Sequence, residues 1–154
     1  MGGKNKQNPA RQLSRSHGKI LEKCDLLVEA TEQTPPNLAL IYELLAFFSH
    51  QTARHEEDEE ESCFPRIASK VGADVIETLT MQHRAHAQLV SKLENLAEST
   101  PVSRKEMEST ARELANAYQS HIELEENTII PATGELTLED RKQVSREMQA
   151  RRGR

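Results

Sequence analysis

Two stretches of the chain hold the side chains best suited to chemistry: HEEDEEESCFP, from His55 to Pro65, and HIELEENTIIP, from His121 to Pro131. Both read H-x-x-x-E-E and then, at the same distance, an apolar residue and a proline. Taken alone, the run Glu56 to Glu61 is what a solvated acidic face looks like. The shared register singles out particular members of it. On an α-helix His55 and Glu59 stand one turn apart and only about 40° around the axis, and so do His121 and Glu125. Imidazole and carboxylate on one helical face are a donor set for iron, manganese or zinc.

These pairs need elements to position them. Apolar residues recur at alternating steps of three and four in four long segments, the pattern of amphipathic helices. The first runs from about Pro9 to Gln33, with Leu13, His17, Ile20, Cys24, Leu27 and Thr31 inward, and Thr34-Pro35-Pro36 ends it. The second starts near Asn37 and carries Ile41, Leu44, Phe48, His55 and Glu59 inward before Phe64-Pro65 and a short turn through Ile67. Gly72 precedes the third, Ala73 to Glu98, whose stripe is Ile76, Leu79, His83, His86, Val90, Leu93 and Ala97. Ser103 and Glu106 make a capping box for the fourth, which carries Leu114, Tyr118, His121, Glu125 and Ile129 and is expected to stop at Pro131. Thr137 can cap a last, charged helix from Leu138 to about Arg151. Short linkers favour antiparallel neighbours. The expected fold is all-α: an antiparallel up-down-up-down four-helix bundle over residues 10–132, with a short C-terminal helix and tail over 133–154. Residues 1–9 are expected to be a disordered basic tail.

The four segments form a duplicated pair. SHGKILEKCDLL aligns with QHRAHAQLVSKL, placing His17 over His83 and Ile20 over His86. Helices one and three each offer one histidine; helices two and four each offer a histidine and a glutamate. A lone histidine on an apolar stripe is usually a hydrogen-bonded core residue. Four of them converging with two carboxylates are different, because unpaired carboxylates in an apolar core cost several kcal/mol each. No lysine or arginine falls on the inward stripes. A metal cluster is therefore the simplest source of positive charge, with His17, His55, Glu59, His83, His121 and Glu125 as ligands. Six ligands are too many for one tetrahedral zinc. They suit two octahedral ions bridged by the carboxylates, with room for an oxo or hydroxo bridge. Two irons are favoured over zinc or manganese. Around this set, His86 is a possible seventh ligand or proton donor, though a hydrogen-bonded core histidine is the favoured reading. Tyr118 could hydrogen-bond a bound oxygen species, with packing again favoured. Glu60 and Glu126 are placed to orient ligand imidazoles. Glu56, Glu57, Asp58 and Glu61 are expected to be solvated, and His50 to point away.

Other chemistries find no support. The glutamate three residues before a histidine that marks ferritin-like di-iron proteins is absent. HExxH begins at His55-Glu56 but meets Glu59 where its second histidine belongs. The chain has 154 residues, 36% hydrophobic and only 3% aromatic, which fits one helical domain with an aliphatic core. Its net charge of −5 is concentrated in the middle, and the basic ends are expected to be solvated rather than to bind nucleic acid. Cys24 and Cys63 read as small buried hydrophobes. The longest apolar stretch, LALIYELLAFF, is too short to span a membrane and is interrupted by Glu43, and MGGKNKQNPARQ has no apolar signal region. A cytoplasmic protein is expected.

The pattern resembles the hemerythrin-like (HHE cation-binding) domain: His17, then His55-x-x-x-Glu59-Glu60 with Phe64-Pro65, then Gln82-His83, then His121-x-x-x-Glu125-Glu126 with Pro131. That resemblance implies a non-haem di-iron centre inside the bundle. Oxygen-carrying hemerythrins place a second histidine where Ala87 stands, and an aspartate where Glu126 stands. The chain is closer to the four-histidine, two-glutamate centres of intracellular hemerythrin-like proteins. The expected function is binding or sensing of a small species (O2, NO or iron). The alternatives are a redox enzyme that decomposes peroxide or oxidises iron, and an iron-responsive regulatory module. The expected partner is a small diatomic or peroxide ligand; no protein partner is indicated.

Overall fold

The computed structural model describes residues 8–153. Five helical elements follow one another, with no strand among the described residues. Helix α1, Pro9–Glu32, opens on the Asn8 side chain, which accepts from the Arg11 amide at 3.2 Å. Asn8 and Pro9 therefore belong to α1 rather than to a tail; residues 1–7 of the expected tail lie outside the described residues. Helix α2 covers 38–71 and is not uniform. Its α-helical parts Leu38–Phe47, Ala53–Asp58 and Phe64–Val71 are joined by π-helical turns at Phe48–Thr52 and Glu59–Cys63. The second π-turn accommodates Pro65, which has no amide to return to the Glu61 carbonyl. Gly72, at φ +97°, takes the chain into α3, Ala73–Glu98. Only glycine adopts that conformation without strain.

Helix α4, Arg104–Gly134, is capped by Ser103, whose hydroxyl accepts from the Glu106 amide. It does not stop at Pro131, and the expected domain boundary at 132/133 falls inside it. The proline removes one amide from the helix ladder. The added turn buries Ala132 and Thr133, and Ala132 packs with Ile129, Val144 and Met148. That packing offsets the lost bond. Helix α5, Leu138–Arg152, starts at Thr137 as the sequence suggests, with its hydroxyl accepting from the Asp140 amide.

Helix direction follows from two separate apolar clusters. One gathers Ile20 to Ala30 of α1, Ile41 to Phe48 of α2, Val90 to Ala97 of α3 and Met107 to Ile122 of α4. The other gathers Leu13, Cys63 to Ile67, Leu79, Ile129 and Ala132, together with Val144 and Met148 of α5. Helices α1 and α3 run from the second cluster to the first, and α2 and α4 return. The fold is thus an up-down-up-down bundle with α5 laid over one end. Every residue expected to face inward is buried except Ile76, which is half-buried. Cys24 and Cys63 are buried and unpaired.

Candidate metal centre

Between the two apolar clusters lies a polar layer. It holds His17 of α1, His55 and Glu59 of α2, His83 and His86 of α3, and His121 and Glu125 of α4, all buried. Helical periodicity places them there, since each lies on the stripe that carries the apolar residues of its helix, within two turns of a cluster member. In α2, His55 lies between the π-turns and Glu59 opens the second of them. Such turns rotate the following residues relative to a regular helix and are frequent at functional sites.

The structure brings the six predicted ligands into two overlapping groups: His17, His55, Glu59 and Glu125, and Glu59, His83, His121 and Glu125. Both carboxylates belong to both groups. His17 Nε2 lies 3.0 Å from Glu125 Oε1, His83 Nε2 3.1 Å from Glu59 Oε1, His121 Nε2 3.2 Å from Glu125 Oε1 and His55 Nε2 3.4 Å from Glu59 Oε2. An octahedron with bonds of about 2.1 Å has edges of about 3.0 Å, so these are the separations of donors around a common ion. The fit has a second support. Nε2 of His17, His55 and His83 and both oxygens of Glu59 and Glu125 are buried without a well-directed hydrogen bond. Orphaned buried polar atoms are rare, and here they converge.

Electrostatics agree. Burial opposes a charge on His17, but the Glu125 and Glu59 carboxylates overcome it and raise its pKa to about 10. Burial likewise opposes a charge on His83, and Glu59, Glu56 and Glu60 raise it to about 10. Burial pushes the Glu59 carboxyl up, yet the surrounding imidazoles hold it well below the usual range. Without a metal, protonated histidines supply the positive charge that two buried carboxylates require. The residues present therefore fit a cation.

Three of these imidazoles are fixed through their far nitrogens. His17 Nδ1 meets Glu126 Oε2 at 2.7 Å, His83 Nδ1 meets Glu60 Oε2 at 2.6 Å, and His121 Nδ1 meets Gln82 Oε1 at 2.7 Å. Glu60 and Glu126 are thus where the sequence places them. Gln82 was not singled out for this role, because nothing in its spacing distinguishes it from an exposed helix residue. Ser14 also donates to Glu126, at 2.7 Å.

A second cluster adjoins the first. His86 Nδ1 lies 3.1 Å from Glu56 Oε2, its ring stacks on Tyr118 at 3.9 Å between centroids, and Glu56 Oε2 is 3.8 Å from His83 Nε2. Glu56, His86 and His121 form a third group able to hold a cation. Burial and the charges of His121 and His83 lower His86 to about 3, and burial raises Glu56 to about 7. Glu56 is therefore no part of a solvated face. Neither is Asp58, which is buried and bonded by Arg151 Nε at 2.7 Å and Arg152 Nη2 at 2.6 Å. Its partners lie in α5, remote in sequence, so the acidic run alone could not show them. Glu61 is exposed, and so is His50, outside the layer as expected.

An all-α bundle with imidazole and carboxylate donors in its core defines the class: a helical cation-binding domain. A family model for the hemerythrin HHE cation-binding domain matches residues 8–133, and the chain belongs to that family. No match was found among curated proteins or among solved structures. Among the described residues no helix is long and apolar enough to cross a membrane.

Proposed function

We propose that the polar layer holds two iron ions, with His17 and His55 on one, His83 and His121 on the other, and Glu59 and Glu125 shared, and that the centre binds or senses a small species such as O2, NO or iron. The observation that carries this reading is the sharing of both buried carboxylates by two four-residue groups. Iron bound there supplies reversible one-electron chemistry and an affinity for diatomic ligands.

The chain's own residues do the rest. Glu126, Glu60 and Gln82 engage Nδ1 of three imidazoles, so that each presents Nε2 to the centre. Glu59 and Glu125 would neutralise the cations, and the apolar clusters flank the layer on either side. His17 and His83, whose pKa values the buried carboxylates raise to about 10, would give up their protons to hold a metal. Difference spectra of the reduced protein with O2 and with NO test the reading. A change with one of the gases is expected; silence with both would count against a gas-binding role.

A redox enzyme at the same centre is the second reading, favoured by one observation. Glu56, His86 and Tyr118 line a cavity of about 210 Å³ beside the layer, where Glu56 and His86 could pass a proton toward His83. On this reading His86→Ala loses most peroxide turnover or iron oxidation while keeping its iron. Undiminished turnover in that variant would remove the relay.

A further inference from the structure

His55 is the odd ligand histidine. Its Nε2 turns to Glu59, but among the described residues its Nδ1 has no acceptor, whereas Nδ1 of His17, His83 and His121 each meet one. Metal-bound imidazoles almost always donate that second proton. The duplication shows what is missing. With His17 set over His83, the residue matching Gln82 is Ser16, whose side chain is two carbons shorter and carries no amide. Where Gln82 reaches His121, the first half of the molecule has instead a cavity of about 330 Å³ lined by Ser16 and His55.

Three cations share the rest of that cavity with Ile20, Phe47, Gln51 and Thr52. Lys19, Arg54 and Arg152 line it, and among the described residues Lys19 and Arg54 enter no ion pair, while Arg152 shares its charge with Asp58. Thr52 lines it too, only 1% exposed, with its hydroxyl buried and unpartnered. An orphaned hydroxyl and three cations around an imidazole edge lacking its acceptor call for an oxygen anion.

We propose that this cavity binds a small oxyanion or carboxylate, which accepts from His55 Nδ1–H and Thr52 and takes the place that the Gln82 side chain fills in the other half. The anion orients His55 as Gln82 orients His121, so its binding and metal binding reinforce each other. The inference rests on the metal reading only through His55; the anion site stands on its own residues.

Calorimetric titration of the full-length protein, with and without metal, using inorganic phosphate in one arm and acetate in the other over a chloride background, tests it. Saturable uptake of at least one is expected, and the arm that binds names the source. Lys19→Gln with Arg54→Gln should weaken uptake about tenfold or more while metal content stays unchanged. Ser16→Gln should abolish uptake by supplying the acceptor from the chain, again with metal retained. No saturable uptake in either arm, or uptake undiminished by both sets of substitutions, overturns the proposal. Metal retained without anion uptake sinks this inference alone; anion uptake by a protein that binds no metal sinks the centre alone.

Discussion

The two H-x-x-x-E-E segments do the same work on differently built helices. In α4 the segment lies in an uninterrupted α-helix, Arg104–Gly134, and its imidazole is held by Gln82. In α2 the same letters start between two π-turns and run into the second, which holds Glu59 and Glu60, with Asp58 tied to α5 and the His55 Nδ1 edge left to a cavity. What the halves share is reciprocal. Each places one glutamate in both four-residue groups, and its second glutamate meets a histidine of another helix, Glu60 on His83 and Glu126 on His17. What differs is adjustability. The α4 half is fixed by its own bundle, whereas the α2 half depends on a distant helix and an open cavity.

The largest effect should come from breaking what the halves have in common. Glu59→Ala is expected to abolish binding of both ions, because that carboxylate belongs to both groups, whereas His55→Ala should leave one ion bound by the other half. Metal analysis of the two variants, with helicity checked by circular dichroism, separates a shared ligand from a local one.

Asp58→Asn attacks only the α2 half. It takes from Arg151, largely buried, its closest charge partner and leaves only the exposed Glu61 at 3.4 Å, and should cost up to about 3 kcal/mol in chemical unfolding. Gln82→Leu attacks only the α4 half. It should lower metal affinity by about 10- to 100-fold with little change in metal-free stability.

The pH response is smaller and has a definite sign. His17 and His83 are raised from 6.5 to about 10, so in metal-free protein their contribution to stability is complete below pH 6.5 and is lost as pH rises toward 10. The metal-free melting temperature should fall across that window while the metal-loaded protein does not follow it. Apparent metal affinity should rise with pH over the same range, as competing protons leave.

The symmetric features were legible in the sequence. Helical periodicity with period-matched histidines located all five helices and pointed to the six residues that fall into the two four-residue groups, and the doubled motif separated Glu59 and Glu60 from the surrounding acids. The asymmetric features were not. A π-turn leaves no letter of its own, and Pro131 reads as a stop until the packing of Ala132 against Val144 and Met148 is seen. Asp58 and Glu56 look solvated because their partners arrive from α5 and α3. Local spacing encodes which face a residue takes, not which distant side chain meets it.

The central claim is that one buried layer holds two cations through two shared carboxylates. Metal content per chain, measured on protein purified without added chelator and repeated after reconstitution with ferrous iron, tests it most directly. Two irons per chain are predicted; a saturated content of one, or none, would contradict it.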